Sequence, residues 1–566
     1  MTQQRRRPLR FPTALALTIL FLTMPRPARA VGIVDGLLAL NAVVEGTETF
    51  ERAQATLAAG TRGPAGGPTV NVVGFIDDGS TNVLRRGFQF TTSAMATPVV
   101  RVTGAGRSFI VPPTGYLGAI PNQIHTAGIF GLRANTDYTL TVSAYDAAGR
   151  SGPEVTTEFT TGPLPASFPP IQVPTNEIAK RTPGYILFDI SSRAGLGLFS
   201  GTWLIMVDMD GQPVWYYNDL FFLTAPTDAR RISTGNILFI GFDGVDAFAA
   251  REIDLFGGDV RHWSTKDIGE GGIQSMHHEL GELANGWFIT LSSLSHFVTG
   301  YPENIGTDHF IVSDVIVIFA PDGEIKYFFD VFSILDPYRV LPGFEDTLFW
   351  EFTYGAGFND WSHGNGVIVD PRDGNLIVSL RHQDIVYKQT LEGQLLWVLG
   401  TNHPSSVADD SWPFLDLTEG TPPIHQHAPE LQPEGTLLVY DNGDNFGNLT
   451  SRAVEYEIDE QSLTSRQVWE WVDSDYSPPL FGAALGDADR ISDTNVLIDD
   501  GAVVRTPSVV VDLAGAWTHI VEVNKVTQEK VFELVVRDDA EEDPEQYLSY
   551  RAEHLRSLYP PLAPAP

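Results

Sequence analysis

The feature that most constrains this chain is a two-line β pattern that recurs about six times between residues 179 and 537. One line is an apolar strand, a turn, then a strand rich in Trp, Tyr or Phe. It appears at residues 204–217, 249–263, 315–329, 386–398, 454–471 and 520–533. The second line opens on glycine or threonine and precedes most of these, at 235–240, 286–290, 374–378, 435–439 and 494–498. A hairpin sheet of this size cannot bury both faces alone, and radial packing of successive sheets removes that problem. An array of β-sandwiches is the competing arrangement. The regular pairing of the two lines, at spacings of about 45 to 75 residues, favours an all-β fold built on a six-bladed β-propeller.

The flanking segments read differently. Residues 1–30 are a signal peptide: Arg5, Arg6, Arg7 and Arg10 precede an apolar run at 11–24 and an A-x-A site at 28–30. Export to the periplasm or beyond is therefore expected, by the Sec or the twin-arginine route. The apolar run is too short to span a bilayer, and no later segment is apolar for long enough, so no membrane span is expected in the mature protein. Residues 31–67 form an N-terminal segment and linker, with a short helix near 48–58. Residues 68–162 show strand alternation, and 131–149 with 156–161 resemble the last strands of a fibronectin type III domain, a small β-sandwich. A Pro-rich linker at 163–178 leads into the propeller at 179–537. The tail at 538–566 is charged, with a short helix predicted over 547–558.

The formal charge is −35, and residues 1–30 hold six arginines and no acid, so the exported chain is more acidic still. Such a surface repels nucleic acid and anionic lipid, and neither is expected as a partner. There are no cysteines. Disulfides, a thiolate nucleophile and a Cys-based zinc site are excluded, and core burial must supply the stability.

Chemistry concentrates in four stretches: 276–280 (MHHEL), 361–367 (WSHGNGV), 379–383 (SLRHQ) and 424–431 (IHQHAPEL). His278 lies eight positions before Gly286, and His427 eight before Gly435. His278, His363 and His427 each precede an apolar strand, so in a propeller all three would face a common channel. A lone histidine is most often structural; three at equivalent points of a repeat are not so readily explained. Asn365 and Arg381 would join them, with Arg381 at the end of an inner strand beginning near Asn375. The alternative for Arg381 is an ion pair between blades. Three imidazoles, one amide and one guanidinium make a site without a carboxylate among its own members, which suits an oxyanion such as sulfate or phosphate better than a hard metal ion. No G-x-x-x-x-G-K-[ST] sequence is present, so a nucleotide phosphate site has no support.

Together with 396–400 (LWVLG), 441–443 (DNG) and 451–459 (SRAVEYEID), these motifs resemble the bacterial arylsulfotransferases (arylsulfate sulfotransferases, ASST). The resemblance implies a six-bladed propeller after a β-sandwich. It further implies ping-pong transfer of a sulfuryl group from an aryl sulfate to a phenolic acceptor, with no nucleotide donor and no cofactor or metal. By the same resemblance His427 is the transiently sulfurylated nucleophile, His363 and Asn365 form the H-x-N pair, Arg381 is the S-x-R arginine and His278 the upstream histidine. His277 competes with His278, and His425 is additional. This chain lacks the cysteines for a disulfide near the nucleophile, and Gly366 stands where a serine is common. A metal-dependent propeller hydrolase or lyase and a non-catalytic extracellular binding protein are the alternative readings. A homodimer is compatible with the sequence, which leaves the oligomeric state open.

Overall fold

A computed structural model describes residues 64–559 apart from 77–81, 113–119, 195–197, 219–226, 242–248, 270–272, 302–305, 342–343, 345–347, 402–410, 444–448, 509–511 and 541. The signal peptide and the helix expected at 48–58 lie outside these residues. The chain divides into two compact units. One comprises Met1–Ile76, Gly87–Ala127 and Thr139–Phe159; the other comprises Asp77–Arg86, Gly128–Tyr138 and Thr160–Pro566.

The first unit carries two sheets. Val70–Phe75, Arg86–Thr92 and His125–Ile129 form one, and Arg107–Val111, Thr97–Gly104, Asp137–Tyr145 and Val155–Thr160 the other. Alternation drives this: in Asp137–Tyr145 the inward residues Tyr138, Leu140 and Val142 are buried while Asp137 is exposed.

Among the described residues the second unit carries six sheets. In the order of their first strands, sheet II holds Thr227–Arg231, Ile237–Gly241, Ala249–Ile253 and Asp259–Trp263. Sheet III holds His277–Glu282, Phe288–Thr299, Asp308–Phe319 and Ile325–Asp330. Sheet IV holds Gly364–Val369, Leu376–Leu380, Ile385–Gln389 and Leu395–Gly400. Sheet V holds His427–Leu431, Leu437–Asp441, Arg452–Asp459 and Thr464–Trp471. Sheet VI holds Asp487–Arg490, Asn495–Asp499, Thr518–Asn524 and Lys530–Val536, with Ile171–Asn176 added along its outer edge. Sheet I holds Tyr185–Ala194, Leu198–Val207 and Pro213–Asn218 from one end of the unit, closed by Gln546–Leu548 and Ala552–Leu555 from the other.

The two recurring lines of the sequence become defined strands. The glycine-led line is the second strand, and the aromatic line is the third and fourth. Residues 547–558 do not form the expected helix. They pair with Tyr185–Ala194 as two short strands, because an open sheet edge supplies backbone partners that local propensity does not anticipate.

Neighbouring sheets share cores of their own. Leu204, Trp215, Ile237 and Phe239 join sheets I and II. Leu238, Trp263, Phe288 and Phe319 join II and III. Leu291, Ile316, Val378 and Tyr387 join III and IV. Ile377, Trp397, Val439 and Tyr456 join IV and V. Tyr440, Trp469, Val496 and Val521 join V and VI. Phe188, Ile205, Ile520 and Phe532 join VI back to I. The first strands of sheets II to VI also touch in succession. They border a cavity of about 380 Å³ whose wall includes Asp228, Glu279, Ile368, Glu430, Asp487 and Glu553, one residue or more from each sheet.

Candidate active site

The site is made by an irregularity that repeats at the start of the first strands. The ladder breaks between Thr227 and Arg230, between His277 and Leu280, between Gly364 and Gly366, and between His427 and Glu430. Each break is a β-bulge, a device that re-aims side chains. At or beside it one residue takes a positive φ: Asp228 (54°), His278 (61°), His363 (47°) and Ala428 (49°). Left-handed backbone costs a non-glycine residue about 1–2 kcal/mol, so His278 and His363 are held there by their surroundings. In ladder register His277, not His278, matches His427. The equal eight-residue spacing to the glycines conceals a one-residue difference between the two bulges.

His427 is 1% exposed. Its Nδ1 lies 2.5 Å from Asn442 Oδ1. The amide of Asn442 is oriented by its own donor group, which serves Gly482 O and Leu485 O, both at 2.8 Å. Its oxygen must therefore accept, Nδ1 carries the proton, and Nε2 keeps its lone pair. Burial first, then the positive charge of Arg381, pushes the His427 pKa well below the usual histidine value. The result is a neutral imidazole of defined tautomer.

His277 and His278 divide their roles. His277 Nε2 donates to Ser292 O at 3.1 Å and lies 3.3 Å from Asp314 Oδ1. Its Nδ1 faces His278 Nδ1 at 2.8 Å, so His277 accepts there from the proton on His278 and leaves His278 Nε2 bare. Burial lowers the His277 pKa to about 3 and takes His278 well below its ordinary value. The His278 ring faces the centre, with its centroid 4.9 Å from His363, 4.9 Å from Phe349 and 5.5 Å from Tyr550. His277 instead packs edge-on against Trp350.

Around His363 a carboxylate appears that the five expected site residues did not include. Asp360, fully buried, takes a very short hydrogen bond from His363 Nδ1 and another from Trp350 Nε1 at 2.9 Å. Asp314 is the second: burial raises it to about 7, and it accepts from Gly364 N at 2.6 Å and from Ser362 Oγ. Asp360 stands three residues before His363, a spacing visible in the sequence but not interpreted there.

Arg381 follows the second strand of sheet IV, not an inner strand, and enters a 3-10 turn over Arg381–Gln383. That turn returns it to the histidines. Its Nη1 donates to His382 Nε2 at 2.7 Å and its Nη2 to Ala483 O at 3.1 Å. Asn365 is completely buried, and its Nδ2 donates to Gln426 O at 2.6 Å, directly beside the nucleophile candidate. His425 is buried, with Nε2 3.8 Å from Asp384. Asn442, Asp360, Tyr550 and Arg551 were not singled out from sequence. The first lies within the quoted DNG motif; the last two lie in a segment read as tail.

Among the described residues two groups come close enough to hold a metal ion, Asp360–His363–His382 and Asp473–His519–Glu533. Neither fits one. His382 donates from Nδ1 to Asp360 O at 2.8 Å and accepts from Arg381 through Nε2, so both its nitrogens are engaged beside a guanidinium. In the other group Lys530 Nζ sits 2.9 Å from Asp473 and 3.2 Å from Glu533. His519 there, its pKa raised to about 9 despite burial by Asp500 and Glu533, supplies a second cation.

Residues 199–551 match the protein family described as arylsulfotransferase (ASST). An arylsulfate sulfotransferase of Escherichia coli O6:H1 (strain CFT073) is 29% identical over 164 residues, covering 24% of this chain and 27% of that protein. One from Lelliottia amnigena is 26% identical over 245 residues, covering 34% and 40%. The chain thus aligns with well under half the length of either relative. Among solved structures, a protein of unknown function from Bacteroides caccae is similar at 14% identity and a TM-score of 0.36, over 65% of this chain and 100% of that one. A likeness at that level says nothing about activity.

Proposed function

The chain belongs to the arylsulfotransferase (ASST) family, and from that membership we propose that it moves a sulfuryl group from an aryl sulfate to a phenolic acceptor through a sulfohistidine on His427. The observation that carries this reading is the Asn442 lock, which holds a buried neutral imidazole with Nε2 free. His427 Nε2 attacks sulfur; the S–N bond forms as the bond from sulfur to the aryl oxygen breaks and a phenolate leaves. The ring then carries positive charge between sulfur and the Nδ1 proton, and Asn442 Oδ1 offsets part of it. A second phenol attacks the sulfur, the S–N bond breaks, and neutral His427 returns. Arg381 is placed to stabilise the sulfuryl oxygens, as preorganised donors do in other group transfers. Asn365 holds the backbone at Gln426, beside His427. His363, oriented by Asp360, and His278 are suited to exchanging the phenol proton.

On this reading the six sheets form a six-bladed propeller that reaches beyond the expected 179–537, because Ile171–Asn176 edges sheet VI and Gln546–Leu548 and Ala552–Leu555 complete sheet I; a fibronectin type III-like sandwich at 68–162 precedes it in the chain. The pairwise cores running from sheet I through VI and back to I support it. Export by the N-terminal signal would place the reaction in the periplasm or outside the cell.

The test is direct. After incubation with 4-nitrophenyl sulfate alone, mass spectrometry is expected to find one sulfuryl adduct on the peptide containing His427. An adduct on His363, or continued transfer to phenol by a His427→Ala protein, would overturn the assignment.

A further inference from the structure

The last strands of the chain do more than complete sheet I. Gln546–Leu548 pairs with Ser191–Arg193 and Ala552–Leu555 with Tyr185–Phe188. Between these ladders, residues 549–551 break the pattern. The backbone N–H groups of Tyr550 and Arg551 donate instead to the buried carboxylate of Asp189, at 3.1 and 3.3 Å. Ser549 Oγ is anchored on Asp499 at 2.5 Å. Exchanging strand partners for a side-chain carboxylate turns Tyr550 and Arg551 inward, where they are 2% and 7% exposed.

What they reach is the site. Arg551 Nη2 donates to the main-chain oxygen of Asn365 at 2.9 Å and to Glu279 at 3.0 Å, while Nη1 donates to Asp228 at 2.9 Å. Tyr550 donates from its hydroxyl to the same Asn365 oxygen at 3.3 Å, and its ring meets His278 edge-on. One guanidinium thus ties the first strands of sheets II, III and IV together at the level of the histidines. A planar fork with several fixed donors can do this; a single ammonium cannot.

We propose that the C-terminal clasp is a working part of the reacting site, with Arg551 a positioning residue that seats Asn365 and, through it, the turn bearing His427. The proposal rests on the sulfuryl-transfer reading, since it concerns the same centre. Its physical content is twofold. Geometry passes from Arg551 to the Asn365 backbone, and from the Asn365 amide to Gln426 O beside His427. Charge acts directly, because the fixed cation opposes protonation of His278 and His427. The other groups facing His427 are Arg381 after the second strand of sheet IV, His363 before its first strand, His278 on sheet III and Asn442 on sheet V.

Full-length Arg551→Lys and Arg551→Met proteins separate the two effects, with 4-nitrophenyl sulfate as donor and phenol as acceptor. Arg551→Lys keeps the charge and loses the fork: kcat is expected to fall about 10–100-fold with little change in donor KM. Its pH profile should keep its acid limb in place. Arg551→Met should also move that limb, and the imidazole titrations of His278 and His427 read by NMR, upward by about one pH unit. A folded Arg551→Lys protein within about twofold of wild-type kcat, or unmoved imidazole titrations in Arg551→Met, would overturn the proposal. If the wild type releases no nitrophenol, the sulfuryl-transfer reading fails, and the NMR titration still decides the role of Arg551. Should both variants unfold, Tyr550→Phe carries the test. About fivefold loss of kcat at unchanged melting temperature is expected from one lost hydrogen bond, and wild-type kcat would sink the idea.

Discussion

At the scale of single residues, the chemistry depends on which nitrogen of each histidine is bare, and a few buried partners decide it. Asn442 is the clearest. Asn442→Leu frees the His427 tautomer and is expected to lower kcat about 100-fold or more, as loss of an orienting partner does elsewhere. It also removes the amide donor that Gly482 O and Leu485 O share, a stability loss of about 1–3 kcal/mol. Initial rates and thermal melts on the same preparation check both. The acid side of the pH response follows from four neutral histidines. Burial lowers His277 and His382 to about 3, and takes His278 and His427 well below their ordinary value. The unfolded chain binds protons near pH 6.5 that the folded chain refuses, so stability falls as pH drops below about 6.5. On the proposed sulfuryl-transfer reading, in which His427 attacks as the neutral imidazole, activity should stay level from pH 8 to 6 and fail only at lower pH. A kcat/KM profile that breaks near 6.5 would contradict this. His278, His363, His427, Asn365 and Arg381 could be named as candidates from the sequence because they sit in motifs. Asn442 lay in the DNG motif and Asp360 just before WSHGNGV, and neither role was readable: a hydrogen bond across 15 residues has no local signature, and a three-residue spacing does not by itself show that Asp360 bonds His363.

At the scale of elements, the bulges in the first strands of sheets II to V trade stability for aim. His278 occupies φ +61°, where glycine is unstrained. His278→Gly is therefore expected to keep the melting temperature close to wild type, since relief of about 1 kcal/mol offsets the lost packing. Its kcat should fall by an order of magnitude or more if the ring serves the phenol proton. A variant that loses stability and activity in proportion would mean the histidine is only structural. The strand starts were legible from period and glycine placement, but the bulges were not. Residues 276–280 and 424–431 look alike in spacing, yet the ladders slip by different amounts and the matching register positions are His277 and His427. Likewise, 547–558 carries a helical pattern that the open edge of Tyr185–Ala194 overrides.

At the scale of the whole molecule, stability on the alkaline side gathers in sheet VI. His519 is fully buried between Asp500 and Glu533, at 2.5 and 3.1 Å, and its pKa is raised to about 9. A raised pKa stabilises the fold fully below the unfolded value near 6.5, and the contribution is lost as pH rises through about 9. That contribution is on the order of 3 kcal/mol. Melting temperature should therefore decline between pH 7 and 9.5 in the wild type, and His519→Gln should melt lower at pH 7 with a flatter alkaline profile. Equal slopes would remove His519 from the account. The broad architecture was determined by the sequence alone: alternation and turn residues dictate strands and hairpins, and their recurrence requires sheets that pack on one another. The placement of histidines at strand starts was determined in the same way, because it follows from local pattern. Only the tertiary structure decided which histidine faces the centre, which nitrogen is free, and that residues 549–551 reach Asn365 and His278 across the fold. Those outcomes depend on the sign of φ at a bulge and on contacts between residues 185 or more positions apart, and neither is written in any short stretch of the chain.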